Sequence, residues 1–388
     1  MIESQITDEI LEKLPSPCWL LEERALERNL VILKNIKEQT GVKILLALKG
    51  YSLWSSFDMV SRYLDGCCAS GLHEAILGSE KFGKELHTYS PAFAHKDIEQ
   101  IATLSHHIVF NSIAQLEKYH SIVKNINPDI SIGIRVNPEI SSSPVEMYNP
   151  CGLYSRFGIT IEKLSERFET VGEYIDGFHF HALCEQDSDA LESVLEAFEE
   201  KFGRYLHKLK WVNFGGGHHI TRDGYDIDRL ISLLNGFGER YPHLQIYLEP
   251  GEAVGWQTGT LVATVLDIVH NGMDIAILDT SAEAHMPDTI IMPYRADIRG
   301  AKEPHALPHT YRLTANTCLS GDIMGDYSFK EPLNIGDRVI FEDQMHYTMV
   351  KSTTFNGIPL PSIAILRKSG ELEIIKEFGY EDFLGRLS

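Results

Sequence analysis

Lys49 is the residue whose type and position most directly suggest chemistry in this sequence. It follows an apolar run, residues 42–48, which is short and tightly bounded and so predicts a buried β-strand. A lysine at the end of such a strand has two common uses. It extends its ammonium to solvent, or partial burial lowers its pKa and makes the amine a nucleophile for a carbonyl cofactor such as pyridoxal phosphate. The first use is the commoner one for an isolated segment.

Further polar or glycine-rich residues follow other predicted strands, and each has a structural alternative. Three consecutive glycines expose backbone N–H groups to a phosphate, or they form a tight turn. A carboxylate beside a pyridine nitrogen keeps that ring protonated and electron-withdrawing, or it is simply solvated. A histidine here supports a site or is a hydrogen-bonded residue of the core, and an arginine supports a site or forms a salt bridge within the barrel. These residues are Glu74, Arg135, His181, Gly215, Gly216, Gly217 and Glu249.

The alternation of strands and helices between residues 22 and 258 predicts an α/β fold that brings these residues together. About eight strand–helix units are typical of a TIM-type (β/α)8 barrel, although an open doubly wound sheet also fits. The active sites of such barrels lie at the C-terminal ends of the strands. The predicted strands are 42–48, 65–69, 86–90, 107–110, 130–136, 175–181, 209–214 and 245–249.

A second domain is predicted from a change of pattern after residue 258, where helical periodicity mostly disappears. The run 261–269 is rich in β-branched residues, and short strands alternate with turn residues beyond it. We expect an all-β domain formed by residues 259–388 and 1–21, which includes an N-terminal strand at 17–21. The further predicted strands are 274–279, 289–292, 310–315, 337–341, 345–350 and 363–367.

The composition excludes several classes of function. The 388 residues carry a formal net charge of −20, which argues against a nucleic-acid partner and is compatible with a cationic substrate. No apolar stretch is long enough to span a membrane, and the acidic N-terminus does not resemble a secretory signal. Six scattered cysteines without a CxxC pair indicate reduced thiols, no metal site of that type and a cytoplasmic protein.

Three long motifs carry a resemblance to a known family. They are HFHALCEQ at 179–186, DTSAEAHMPD at 279–288 and TCLSGD at 317–322. Together with the segments at the predicted strand ends, which run in order from Lys49 to Glu249, they resemble the fold-type III pyridoxal-phosphate decarboxylases, which are related to alanine racemase and eukaryotic ornithine decarboxylase. Within that group the chain is similar, over nearly its whole length, to the decarboxylases of carboxynorspermidine and carboxyspermidine.

The resemblance implies a role for each matching residue around pyridoxal phosphate. Lys49 would hold the cofactor as a Schiff base, His181 would stack on its ring, and Glu249 would pair with the ring nitrogen. Phosphate contacts would come from backbone amides and a tyrosine, and other residues would support the cofactor and the lysine. The residues that would contact the phosphate are Gly215, Gly216, Gly217 and Tyr347, with Cys184 nearby. The supporting residues are Arg135 and Glu74.

The resemblance also implies a homodimer whose active sites are shared between subunits. Cys318 matches the cysteine that returns a proton after CO2 leaves, and it would come from the neighbouring subunit. Glu252 stands where diaminopimelate decarboxylases have an arginine, so this position favours an amine over a carboxylate. Asp288 and Asp322 are further candidate partners for a multiply charged amine, although Asp288 also fits a turn after Pro287.

The expected reaction is decarboxylation of carboxynorspermidine or carboxyspermidine in polyamine biosynthesis. These substrates differ by one methylene, worth only about 1–3 kcal/mol in a pocket, so we expect both to be accepted. Two alternatives stay open at this point. One is a catalytically silent relative that binds the cofactor and regulates polyamine enzymes. The other is a metal-dependent barrel hydrolase whose ligands would be His179, His181, His218, His219 and His285.

Overall fold

A computed structural model describes residues 4–140 and 149–388 of the chain. Its contacts divide the chain into two compact units. One is Asn29–Val254, and the other is the chain up to Arg28 together with Gly255–Ser388. The boundaries predicted from the sequence lie at residues 22 and 258, and residues 1–3 of the predicted second domain lie outside the described residues.

The first unit contains a closed barrel of eight parallel strands, in which the last strand pairs with the first. This confirms the predicted (β/α)8 barrel and excludes the open doubly wound sheet. The strands are β2 (Lys43–Ala47), β3 (Gly66–Ala69), β4 (Glu85–Tyr89), β5 (His107–Phe110), β6 (Ser131–Arg135), β7 (Gly177–His179), β8 (Trp211–Asn213) and β9 (Gln245–Leu248).

Helices connect the barrel strands, and their apolar positions repeat at the spacing of a helix face. In α9, for example, Leu230, Leu234 and Phe237 are buried, and the Asp226 side chain caps the first turn by accepting the Arg229 amide hydrogen. The helices are α2 (Glu23–Thr40), α3 (Phe57–Tyr63), α4 (Leu72–Leu77), α5 (Ile98–Leu104), α6 (Ile113–Ile126), α7 (Ile161–Val171), α8 (Ser188–Leu206), α9 (Ile227–Arg240) and α10 (Glu252–Gly255).

A tryptophan fills part of the barrel where two neighbouring strands carry glycine. Trp211 on β8 is buried, and its indole lies against Gly177 on β7 and Gly133 on β6. A Cβ atom added at Gly177 would lie 2.0 Å from the indole ring, and one at Gly133 would lie 2.3 Å from it. The indole Nε1 donates to the Ser131 hydroxyl at 2.8 Å. Both glycines are therefore required by the volume of Trp211.

The second unit is built on a sheet in the strand order β13-β12-β11-β10-β1-β15-β16, with β14 also paired to β10. Its elements are α1 (Asp8–Lys13), β1 (Cys18–Glu22), β10 (Gly259–His270), β11 (Asp274–Leu278), α11 (Ala282–His285), α12 (Asp288–Ile291), β12 (His309–Ala315), β13 (Ile323–Phe329), β14 (Arg338–Phe341), α13 (Tyr347–Val350), β15 (Ser362–Leu366), β16 (Leu372–Lys376) and α14 (Tyr380–Leu387).

The N-terminal strand belongs to this unit, as predicted, and lies in the middle of its sheet. β1 pairs antiparallel with β10 and parallel with β15. Its side chains Cys18 and Leu20 are fully buried and pack with Val262, Ala364 and Leu366 in one apolar cluster. The N-terminal segment is thus part of the core of the second unit.

Two of the strands predicted in this unit are wrong. Residues 289–292 lie largely in helix α12, because Pro287 starts a turn and its carbonyl accepts the amide hydrogens of Ile290 and Ile291. Residues 345–350 end in helix α13 (Tyr347–Val350). In both segments local hydrogen bonding overrides an apolar composition that resembles a strand. Strands β13 and β16 were not predicted.

None of the helices described in the structure is both long and apolar enough to cross a membrane.

Candidate active site

Lys49 lies two residues beyond the C-terminal end of β2, in a turn in which the Gly50 and Tyr51 amides donate to the Ala47 carbonyl. Its side chain reaches solvent, but protein atoms surround it closely enough to desolvate the amine. Desolvation and the Arg135 charge lower the Lys49 pKa, while Cys68, Glu249 and Cys184 act in the opposite direction. The predicted nucleophilic lysine therefore has the environment that such an amine needs.

Glu249 directly follows β9, and its carboxylate is held by two neighbouring strand ends. The Asn213 Nδ2 donates to Oε1 at 2.7 Å, and His179 Nε2 lies 3.2 Å from Oε2. Burial alone would raise the pKa of Glu249, but its interaction with His179 and its hydrogen bond from Asn213 lower it to about 2. Glu249 is therefore ionised at neutral pH and is ready to pair with a protonated ring nitrogen.

His179 and Asn213 are site residues that the sequence analysis did not identify as partners of Glu249. They end β7 and β8, and their residues pair in the parallel register of those strands. Both are buried. Their positions at consecutive strand ends were a usable signal, since polar residues there meet at one end of the barrel.

His181 lies two residues beyond β7, next to the triple glycine. Its Nδ1 accepts the Gly216 amide hydrogen at 2.9 Å, and its main-chain carbonyl accepts a hydrogen bond from Arg135 Nη2 at 3.1 Å. Burial, with the charges of Lys49 and Arg135, holds the pKa of His181 well below its usual range. The imidazole is therefore neutral and suited to stacking on an aromatic ring.

The three glycines form a turn that only glycine fits. Gly215 and Gly217 have φ values of 71° and 88°. A Cβ atom on Gly216 would lie 2.2 Å from the Glu249 carbonyl oxygen. The Gly215 amide donates to Asn213 Oδ1 at 2.8 Å, and the Gly216 amide donates to His181. The amides of Gly215 and Gly216 thus have acceptors within the chain, and the phosphate contact of the three glycines stays a prediction.

Arg135 is the last residue of β6 and is buried, at 5% exposure. Its guanidinium lies 4.8 Å from the centre of the Tyr89 ring and 4.6 Å from that of Phe157. Through its hydrogen bond to the His181 carbonyl, Arg135 contacts the segment that carries the stacking histidine. Its predicted supporting position is consistent with these contacts.

Three other predicted residues are in the first unit. Glu74 is in α4, where its Oε2 accepts the Ser70 amide hydrogen at 2.6 Å, so it stabilises its own loop. Cys184 is half-buried and close enough to Lys49 to affect its pKa. Glu252 begins α10, and its amide nitrogen would lie 2.9 Å from a Cβ atom at Gly50. Glu252 is therefore adjacent to the Lys49 turn.

Cys318 belongs to the second unit, in an exposed loop between β12 and β13. Its amide donates to the side-chain oxygen of Asn356 at 2.8 Å, and Asn356 itself has a φ of 57°. Tyr347 begins α13, and the Lys351 ammonium lies 5.2 Å from its ring centre.

Two predicted substrate carboxylates have partners within the chain, and their contact with the substrate stays a prediction. Both oxygens of Asp288 accept from the Lys351 ammonium, at 2.7 and 2.8 Å. Asp322 is buried, and its oxygens accept from the hydroxyls of Ser281 and Thr317 and from the Ala282 amide. Asp322 therefore caps α11 and holds the Cys318 loop, because burial makes such a carboxylate use its acceptors within the chain.

The histidines of the metal-hydrolase alternative do not form a metal-binding cluster. Within residues 4–140 and 149–388, the one group of at least three suitably close ligand atoms comes from Glu85, His87 and His107. None of these residues belongs to the predicted set of five histidines. Glu85 is instead bonded to Lys43 and Tyr247, at 2.7 and 2.8 Å.

Comparison with known proteins identifies what this chain is similar to. Residues 31–344 match the family model described as "Pyridoxal-dependent decarboxylase, C-terminal sheet domain". The chain is 51% identical over 384 residues to a carboxynorspermidine/carboxyspermidine decarboxylase of Campylobacter jejuni, with 96% of this chain and 98% of that protein covered. It is 46% identical to a carboxyaminopropylagmatine decarboxylase of Synechocystis, with 97% and 96% covered.

A solved structure has the same fold over almost the entire chain. It is the crystal structure of carboxynorspermidine decarboxylase from Campylobacter jejuni complexed with norspermidine. The TM-score is 0.88 at 50% identity, and 96% of this chain and 100% of that chain are covered.

Proposed function

This chain belongs to the pyridoxal-dependent decarboxylase family, and from that premise we propose that it removes CO2 from carboxynorspermidine and carboxyspermidine in polyamine biosynthesis. The identity of 51% to a decarboxylase of these substrates supports the assignment. Neither the metal hydrolase nor the silent regulator has support, because the similar curated proteins are decarboxylases over nearly their full length.

The family cofactor is pyridoxal phosphate, and the residues at the barrel's C-terminal end fit it. Lys49 would hold the cofactor aldehyde, His181 would contact the ring face, and Glu249 would pair with the ring nitrogen. Gly217 and Tyr347 would contact the phosphate. When bound, the protonated ring accepts the electron pair that decarboxylation leaves behind.

The observation that carries the proposal is the ionised carboxylate of Glu249 beside a lysine of lowered pKa. His179 and Asn213 keep the Glu249 pKa at about 2, so this carboxylate stabilises a positive charge on a neighbouring nitrogen. Lys49, whose pKa is lowered mainly by desolvation, is more readily deprotonated than an ordinary lysine and so is a better nucleophile. The proposed chemistry needs both an ionised carboxylate and an amine that loses its proton more readily than usual.

Cys318 would return a proton to the α-carbon of the product, and its backbone is fixed for that task. The Asn356 side chain holds the Cys318 amide, and Asp322 holds the adjacent Thr317 hydroxyl. Asp322 thus also positions the loop that carries Cys318.

The substrate preference for a cationic chain is assigned to Glu252 and to the acidic balance of the protein. Glu252 is half-buried next to the Lys49 turn, and a carboxylate there attracts an ammonium group. Carboxyaminopropylagmatine, named for a 46% identical relative, ends in a guanidinium and is therefore the most informative competing substrate.

We assign a homodimer with shared active sites to the functional protein. Several apolar side chains of the second unit are exposed, which is typical of a surface covered by a partner. They lie in and around the segments that carry Cys318 and Tyr347, and they are Ile290, Ile291, Leu319, Val350 and Phe355. We also retain the predicted cytoplasmic location, which the six free thiols support, and the expected absence of a nucleic-acid partner.

The test of the reaction is an absorbance spectrum of the purified protein followed by assays on the three carboxylated amines. We expect a visible cofactor band that is lost in Lys49→Ala, with norspermidine and spermidine formed at kcat/KM values within about a hundredfold of each other. Preferential turnover of carboxyaminopropylagmatine would move the substrate assignment, and the absence of a band with added pyridoxal phosphate would overturn the cofactor assignment.

The test of the shared site is complementation between two inactive variants. Lys49→Ala and Cys318→Ala proteins are mixed at equal amounts and allowed to exchange subunits. Half of the dimers are then heterodimers, and each heterodimer has one intact site. Activity should then recover to about a quarter of the wild-type value if each site takes residues from both subunits. No recovery, with exchange verified by mass spectrometry, would place both residues in one subunit.

A further inference from the structure

Arg135 is held between two aromatic rings, one from a barrel strand and one from a loop. The Tyr89 ring belongs to β4 and the Phe157 ring to the segment before α7, with ring centres 4.8 and 4.6 Å from the guanidinium carbon. Contacts with ring faces restrict a guanidinium that otherwise has many rotamers. The Arg135 hydrogen bond to the His181 carbonyl, 3.1 Å long, is made from this restricted position.

Asn111 fixes both of these rings by hydrogen bonds of its side chain. Its Oδ1 accepts from the Tyr89 hydroxyl at 2.8 Å and from the Gly158 amide at 2.7 Å. Its Nδ2 donates to the Arg156 carbonyl at 2.8 Å. The Asn111 side chain is therefore hydrogen-bonded to the backbone on both sides of Phe157 and also to the Tyr89 hydroxyl.

The segment that carries Phe157 is also bonded to the strand that carries Arg135. The Ile159 amide donates to the Arg135 carbonyl at 2.9 Å, and the Asn137 amide donates to the Ile159 carbonyl at 2.8 Å. Gly158 has a φ of 79° and leaves no room for a Cβ atom, which would lie 2.8 Å from Val136. The placement of Phe157 over Arg135 is thus determined by the backbone.

We propose that Tyr89, Asn111 and Phe157 are positioning residues that hold Arg135 against the His181 segment and so prepare the barrel to bind the cofactor. The proposal rests on the roles given above to Arg135 and His181 and adds the residues that act through them. Tyr89 also stacks on His179 with ring centres 5.4 Å apart. One set of side chains therefore supports both the arginine and the histidine that contacts Glu249.

The position of Arg135 has an electrostatic consequence for the site. Its charge contributes to lowering the pKa of both Lys49 and His181. A guanidinium released from the two rings would gain other rotamers, and its distance to both groups would change. Loosening the support should therefore weaken cofactor binding even though none of the three residues needs to touch the cofactor.

The test compares asparagines at the two ends of one helix. Asn111 precedes α6, and Asn127 follows it and also bonds backbone groups, donating to the carbonyls of Ala102 and Ser105. We expect Asn111→Ala and Phe157→Leu to weaken pyridoxal phosphate binding roughly tenfold, measured by titrating apoprotein and following the visible band. Asn127→Ala should lower the apoprotein Tm about as much as Asn111→Ala does, but it should not change the cofactor affinity.

Further measurements separate positioning from a general loss of structure. Phe157→Tyr, which keeps the ring, should restore the affinity lost in Phe157→Leu. With saturating cofactor, Asn111→Ala should lower kcat while the KM for carboxynorspermidine stays within about twofold. Unchanged cofactor affinity in Asn111→Ala and Phe157→Leu would overturn the proposal, and so would an equal loss in Asn127→Ala. Failure of the proposed function would instead appear in the wild-type protein, as a missing band or missing turnover.

Discussion

The barrel contains a partly buried carboxylate at each end, and the two differ in how their charge is compensated. Glu85 is the first residue of β4, at the N-terminal end of the strands, and Glu249 follows β9 at the C-terminal end. Glu85 accepts from Lys43, Tyr247 and His87 at 2.7, 2.8 and 2.9 Å. Both carboxylates have lowered pKa values despite burial.

The two carboxylates differ in how much of their charge and hydrogen-bond-accepting capacity the chain itself satisfies. Two oxygens offer about four acceptor positions. Glu85 accepts hydrogen bonds from three donors. One of them is a lysine that neutralises its charge, so the charge of Glu85 is compensated within the chain. Glu249 accepts from Asn213 and pairs with His179, whose own pKa is lowered by burial. A carboxylate without a full countercharge is suited to a cationic ligand, whereas a neutralised one is suited to stability.

The sharpest test of this comparison exchanges the lysine at each end for methionine. Lys49→Met should abolish the visible band and reduce activity by more than about a thousandfold, because the nucleophile is lost. Lys43→Met should retain the band and keep kcat within about twofold. A large loss of activity in Lys43→Met, with cofactor bound, would show that the two ends are functionally coupled.

The second prediction concerns the carboxylates themselves. Glu249→Gln should reduce kcat about a hundredfold, since a neutral amide does not hold a proton on the ring nitrogen. Glu85→Gln should leave kcat within about twofold. Steady-state kinetics at saturating cofactor measure both values. Equal losses in the two variants would mean that the barrel needs each charge for its structure and would remove the distinction.

The folding stability, unlike kcat, should depend on Glu85. We expect Glu85→Gln to lower the free energy of unfolding by about 2 kcal/mol, because it leaves Lys43 without its countercharge at a partly buried site. Chemical denaturation of the apoprotein checks this value. The double variant Glu85→Gln, Lys43→Met should recover part of the loss, and a double variant less stable than the sum of the single changes would contradict the pairing.

The smallest effect is a pH dependence at the N-terminal end. His107 has its pKa lowered to about 2, mainly by burial, whereas an unfolded histidine titrates near 6.5. The unfolded chain therefore binds the extra proton, and stability falls as pH decreases below about 6.5. Between pH 7 and 5.5, His107→Gln should lose about 1 kcal/mol less stability than the wild type. Parallel stability curves for both proteins would contradict this assignment.

The sequence predicted the barrel well because each strand combined a short apolar run with a flanking helix of regular periodicity. Prediction failed where a few local hydrogen bonds decided the structure, as in helix α12 after Pro287. In the candidate site, residue types and strand-end positions pointed to Lys49 and Glu249, but the partners of a carboxylate depend on side-chain direction. The pairing of Asp288 with Lys351 and the hydrogen bonds of Asp322 were therefore not readable from spacing.

The indole of Trp211, which lies over Gly133 and Gly177, links three positions that are far apart in the sequence. Because the glycines supply the volume that the indole occupies, these positions should change together among relatives. A chain with alanine or a larger residue at 177 needs a smaller residue at 211. Engineers who repack this barrel should therefore treat the three positions as one unit and substitute the tryptophan first.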